Sequence, residues 1–303
     1  MRVSFKVVLW GIVGGATLVV LWACDTDSIV GIDEGDDETV MTLQQITYAL
    51  DPQTNEGRVP DGLSVQALFQ EINDEQVLVT LAVEDTLNPG DIPPIHPVHV
   101  REGEVDSSDV VKTRLTPIDR AAHPAGRSTT LLEASFDEVL EWDAHLTVHQ
   151  GAAAVDTVIA SGEVGANSTA SPTGFQLRRV EGDEPVEYPL SATGEDGLSG
   201  SVQGQALTPE QTLVTVSIES GTPDTLRTYP VHLRESDAST DGETAFFLGA
   251  LDGAANSLRT YAVLDLPFDD FRTFDGHVRV FPGNDALDAP VSTGNIGANA
   301  NGE

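Results

Sequence analysis

Apolar and polar residues alternate along short stretches of this chain, at the two-residue period of a strand with one buried face. In 77–83, Val77, Val79, Leu81 and Val83 alternate with Leu78, Thr80 and Ala82. In 212–218, Val214, Val216 and Ile218 alternate with Leu213, Thr215 and Ser217. Turn-forming clusters bound such runs, for example Asn88-Pro89-Gly90-Asp91 and Gly221-Thr222-Pro223-Asp224. The helical competitor is Thr130–Glu141, rich in Leu and Glu, but its counterpart Thr260–Pro267 ends in proline and reads as extended. That leaves room for one short helix or turn near Phe136–Leu140 and again near Phe268–Phe271. Many short strands with turns between them predict an all-β chain of antiparallel sandwich or barrel type.

The pattern is written twice. Glu75–Leu81 matches Glu210–Val216 at an offset of 135, and Pro97–Glu102 (PVHVRE) matches Pro230–Glu235 (PVHLRE) at 133. Asp143–Val148 matches Asp275–Val280, and Gly162–Asn167 matches Gly294–Asn299, both at 132. Ordered blocks with slowly drifting offsets indicate an internal repeat with short loop insertions. We therefore expect two tandem β domains, 42–167 and 176–299, each of a size that holds one core without disulfides. A small-residue linker, 168–175, joins them, and 300–303 is a tail.

The N-terminus reads as an address. Arg2 and Lys6 precede an uncharged, mostly apolar run of 17 residues, Val7–Ala23, short for a membrane span and suited to a signal peptide over 1–23. The run ends Leu21-Trp22-Ala23-Cys24, which resembles a bacterial lipobox. That resemblance implies lipidation of Cys24, the only cysteine, and attachment to a membrane. An uncleaved anchor helix is the other reading of the same run. Residues 24–41 carry Asp33-Glu34-Gly35-Asp36-Asp37-Glu38 and read as a disordered acidic tether.

Charge narrows the partners. Once Arg2 and Lys6 leave with the signal, 13 of the 15 basic residues remain against 49 acidic ones, and Lys112 is the only lysine. This excludes a nucleic-acid partner, which needs basic patches. Acidic excess with almost no lysine resembles halophile proteins, in which salt screens the repulsion. A calcium-laden surface is the rival, although no D-x-D-x-D-G loop is present.

The repeated blocks resemble the chordin-type (CHRD) domain of exported bacterial proteins. His99-Val100-Arg101-Glu102-Gly103 stands where that family has H-I-H-x-G, with Arg for the second His. His145-Leu146-Thr147-Val148-His149 stands at its Y-V-N-V-H strand, and Gly162–Asn167 at its closing G-E-I-R-G-Q. The second copy departs further, with His232–Ser236, His277–Phe281 and Gly294–Asn299 at the three places. The resemblance implies a β-sandwich-like fold and a binding or structural role.

Histidine is the residue type that points to chemistry, with seven: His96, His99, His123, His145, His149, His232 and His277. By strand parity Val98 and Val100 face the core with His96, whereas His99 and Arg101 face away. Leu146 and Val148 point in, and His145, Thr147 and His149 point out. If the two strands are neighbours, His99, His145 and His149 share a face and are candidate ligands for a transition metal. Copy two has His232, His277 and Phe281 there, one ligand short. Structural hydrogen bonds by the shared pairs, His99/His145 and His232/His277, are the alternative. Trp142 and Phe274 precede the second block and read as core anchors, with a carbohydrate-stacking platform as the alternative. Arg101/Glu102 and Arg234/Glu235 read as ion pairs. No G-x-S-x-G nucleophile motif or phosphate-cradling glycine loop occurs. With 49 acids, no carboxylate pair is informative.

The sequence thus predicts a lipid-anchored protein of the cell envelope. Two CHRD-like β domains would serve surface binding, adhesion or envelope structure, without catalysis or cofactor. Its partners would be the membrane, through the lipid, and a protein or polysaccharide. A metal-binding, possibly redox, domain and a polysaccharide-acting enzyme are the competing classes.

Overall fold

The computed structural model describes residues 38–53, 64–84, 95–105, 107, 110–120, 126–180, 184–194, 197–255, 257–283 and 286–300. The expected signal peptide, Cys24, nearly all of the tether, His123 and the tail beyond 300 lie outside them. The described residues are all-β apart from two one-turn helices and a single 3-10 turn.

The first half contains β1 (Glu38–Pro52), β2 (Ser64–Asn73), β3 (Gln76–Glu84), β4 (Ile95–Glu102), β5 (Val111–Asp119) and β6 (Arg127–Leu132). Helix α1 (Phe136–Leu140), β7 (Asp143–His149) and β8 (Val158–Gly165) follow. Antiparallel pairing runs β1–β2–β3–β6–β5–β4–β7–β8. β8 then returns to β1 through Ala160 and Ser161, so eight strands close into a barrel. Closure removes the sheet edges that an open sheet would expose.

The second half opens with β9 (Thr173–Val180), which pairs with β1. β10 (Val186–Ala192), β11 (Ser199–Thr208), β12 (Gln211–Ser220), β13 (Thr228–Glu235), β14 (Thr244–Asp252) and β15 (Leu258–Leu264) come next. Helix α2 (Phe268–Arg272), β16 (Asp275–Val280) and β17 (Ser292–Gly297) complete it. The same order recurs: β10–β11–β12–β15 on one side and β14–β13–β16–β17–β10 on the other. β14 and β15 lie side by side at the remaining step.

Strand alternation builds the interiors. Val77, Val79 and Leu81 join Val98, Val100, Leu146 and Val148 in one apolar cluster. Val214 and Val216 join Val231, Leu233, Val278 and Val280 in another. The two short helices sit at the expected places. Ser135 caps α1, its Oγ accepting from the Glu138 N–H at 3.1 Å. Trp142 joins the first cluster and Phe274 packs against the second.

The described residues form one compact unit, and the halves meet like with like. A third cluster contains Ile72 with Leu207, Leu78 with Leu213, and Leu131 with Val263. Each of these pairs occupies matching register positions in the two copies. The bridge that joins the halves, Thr129 to Tyr261, also pairs matching positions. The first part of β1, Glu38–Gln45, pairs with β9 in antiparallel register. β1 therefore starts inside the stretch read as tether, and β9 starts inside the stretch read as linker. The patch each half presents is the one it receives, the geometry of a two-fold interface. Leu213→Ala should lower stability by about 2–4 kcal/mol, since a buried leucine leaves a cavity, and Leu78→Ala should match it. Urea midpoints read both losses; a Leu213→Ala midpoint equal to wild type would remove this cluster from the account.

Candidate functional site

The repeated motifs converge on one corner of each half. After β4 the chain turns through Gly103 at φ 77°, and after β13 through Ser236 at φ 66°, the one described non-glycine residue with positive φ. The Gly103 N–H bonds the Asp143 carbonyl at 2.9 Å, and the Ser236 N–H bonds the Asp275 carbonyl at 2.9 Å. A histidine pins each turn. His145 Nδ1 donates to the Gly103 carbonyl at 2.9 Å, and His277 Nδ1 donates to the Ser236 carbonyl at 2.8 Å. A carbonyl can only accept, so the proton of each ring sits on Nδ1. Burial also lowers the His277 pKa below its ordinary value.

The G-A-N block closes the same corner. Gly165 and Gly297 adopt φ 64° and 58°. The next N–H groups, of Ala166 and Ala298, bond the carbonyls of Trp142 (2.8 Å) and Phe274 (3.1 Å). Asn167 Nδ2 donates to Asp143 at 2.8 Å, and Asn299 Nδ2 donates to Asp275 at 2.7 Å. Tyr48 and Tyr188 hold the glycine N–H groups from β1 and β10. The repeated ionisable residues of this corner are thus occupied in building it.

On the outer face of the first barrel, β4 and β7 are neighbours, with His99 opposite Thr147 and Arg101 opposite His145. His99 and His149 meet, their ring centroids 4.5 Å apart. His145 is turned away to the Gly103 carbonyl, so the three candidate ligands do not form one set. Among the described residues no group of three His, Cys, Asp or Glu is placed to hold a metal ion. His96, buried, donates from Nδ1 to the His149 carbonyl at 3.0 Å.

Arg114, on β5, completes this cluster. Its Nη1 donates to His99 Nε2 at 2.7 Å and lies 3.1 Å from Asp252 of the second half. A guanidinium can only donate, so His99 Nε2 is unprotonated and the ring proton lies on Nδ1, which has no partner. His149 Nε2 pairs with the Thr147 hydroxyl at 3.0 Å. Burial, then His149 and the charges of Arg114 and Arg101, push the His99 pKa down to about 3. Burial and Arg101 hold His149 at about 4. Guanidinium charges beside two neutral rings oppose a metal cation as they oppose a proton.

Copy two fills the matching space with rings. Phe247 stands at the place of Arg114 and Phe281 at that of His149, with centroids 4.7 Å and 5.0 Å from His232. Burial lowers His232 to about 4. The expected Arg234–Glu235 pair is replaced: Arg234 lies 3.0 Å from Asp241, which also holds Arg279 at 2.8 Å.

Among the described residues, two of the clefts gather side chains from both halves. One of about 500 Å³ lies between β5, β6 and α1 of the first half and Asp252–Tyr261 of the second. The other, about 1250 Å³, runs along β2, β3, β9, β11, β14 and β15. Sequence reasoning singled out neither; chemical differences between matched positions of the repeat were the available signal. No family model, curated protein or solved structure matches the chain.

Proposed function

We propose that this chain is an exported, lipid-anchored envelope protein that works by binding, with two CHRD-like β domains held off the membrane by the acidic segment before β1. One observation carries the non-catalytic reading. The residues repeated between the halves (His145/His277, Gly165/Gly297, Asn167/Asn299) all bond within their own corner. They maintain a framework, which leaves none of these corner pairs for acid–base work. The two-domain division rests on the duplicated strand order and the separate apolar interiors. The address rests on the signal-like run and Cys24.

The test is expression in a Gram-negative host with radiolabelled palmitate, comparing wild type with Cys24→Ser. Wild type should be labelled, pellet with membranes and promote attachment of the cells to polysaccharide- or protein-coated surfaces; Cys24→Ser should do none of these. An unlabelled wild-type chain, or equal attachment by both, would overturn this reading.

A further inference from the structure

The two halves provide an internal comparison. Corner residues are kept between them, so positions that changed chemically mark where the halves took on different work. Four such changes meet in the smaller cleft. Lys112 stands where the second half has Ala245, Arg114 where it has Phe247, Trp142 where it has Phe274, and Tyr261 where the first half has Thr129. Arg259 and its match Arg127 are the same in both. The matching positions Arg127, Thr129, Ala245 and Phe247 line the larger cleft.

The charge of the smaller cleft is unusual for this chain. It gathers Lys112, the one lysine outside the signal-like segment, with Arg114 and Arg259, in a protein of net charge −34. Among the described residues neither Lys112 nor Arg259 forms an ion pair. The Lys112 ammonium lies over the Trp142 ring, 5.3 Å from its centroid. The Trp142 indole N–H is buried, and no partner is described for it. Arg259 hydrogen-bonds the Tyr261 side chain but has no carboxylate partner among the described residues, and cations without carboxylate partners in a chain with acids to spare are placed to receive an anion. The lining also has hydroxyls from Thr113, Thr130 and Ser257, and carboxylates from Glu133, Glu138 and Asp252, the last of them paired with Arg114. Carboxylates repel a simple polyanion but accept hydrogen bonds from hydroxyl groups. Aromatic rings, hydroxyls, acids and cations together suit a polyhydroxylated acid, and about 500 Å³ falls in the range of small-ligand sites.

We propose that this cleft binds a carboxylated saccharide, with Lys112 and Arg259 on the uronate carboxylate and Glu133 and Glu138 on ring hydroxyls. The inference rests on the binding reading above and names its ligand class. Its test is calorimetric titration of the full chain in detergent with trigalacturonate, its methyl ester and maltotriose. Trigalacturonate should bind, and the other two at least tenfold more weakly. Lys112→Gln and Arg259→Gln should each weaken trigalacturonate at least tenfold, because each removes a charge-assisted contact. Arg127→Gln, at the matching place in the other cleft, should leave it unchanged. Both cleft side chains are exposed, so their loss leaves the fold intact, which circular dichroism checks. No trigalacturonate binding, equal binding of the methyl ester, or unchanged affinity in both cleft variants would overturn the saccharide site. If surface attachment persists under any of those results, the binding reading stands and this ligand assignment alone falls.

Discussion

Replacing Gly165 by alanine should destabilise the protein by about 3–5 kcal/mol, and Gly297→Ala should do the same, although neither residue touches a ligand. The φ values of 64° and 58° lie in the left-handed region that an L side chain occupies at a penalty of about 1–2 kcal/mol. The larger part is steric. A Cβ on Gly165 would overlap the carbonyl oxygens of Trp142 and Val139, and one on Gly297 would overlap backbone atoms of Phe274. Those backbone groups are fixed by the bonds from Ala166 and Ala298 and by the helices before them, so they cannot retreat. Gly194 provides the comparison. It has φ 76° but nothing within 4 Å of its would-be Cβ, so Gly194→Ala should lose only about 1 kcal/mol. Denaturant unfolding of the three variants separates the conformational penalty from the steric one. If Gly165→Ala were as stable as Gly194→Ala, the G-A-N corner would not be the rigid closure described here.

Stability should fall steeply between pH 6.5 and pH 4, before most carboxylates titrate. His99, His149 and His232 have folded pKa values of about 3, 4 and 4, against an ordinary value near 6.5. Below pH 6.5 the unfolded chain binds protons that the folded chain refuses, so acid favours unfolding. The contribution is complete above pH 6.5. It is lost as pH falls through the window to the folded values, on the order of 1 kcal/mol per pH unit for each ring. Mutual repulsion of the 49 acidic groups works the other way as they protonate, mainly below about pH 4.5. The range from pH 6.5 to 5 therefore reports the histidines. His149→Phe imitates the second half, where Phe281 packs on His232. It should fold and reduce the pH slope by about a quarter to a third, because burial makes His277 resist protonation too. An unchanged slope in that variant would mean that His149 is protonated or exposed in the folded chain.

Strand alternation revealed one face of each strand and was silent on the other. Leu78 and Leu213 fall on the polar side of the pattern, yet both are buried between the halves. A period of two says which residues share a face; it cannot say what covers that face. Strand β9 was hidden for a similar reason. Its alternation is weak, and its partner is the start of β1, more than a hundred residues away and inside an acidic stretch. Parity placed His99 and His149 on one outer face, where they meet. It could not show that His145 would turn to the Gly103 carbonyl, because that depends on the turn after β4. Arg114 lies on the next strand outside any repeated block, and Asp252 comes from the other half. Only the folded chain brings them to His99.

The measurement that most directly tests the histidines' role is metal content. The full chain, purified without chelator and offered zinc, copper and nickel in turn, is analysed beside His149→Phe. We expect less than one-tenth of an equivalent in both, because Nε2 of each ring is already bonded, to Arg114 or to Thr147, and Arg101 and Arg114 oppose a cation. One equivalent of transition metal in the wild type, lost in His149→Phe, would contradict it and make the first half a metal site.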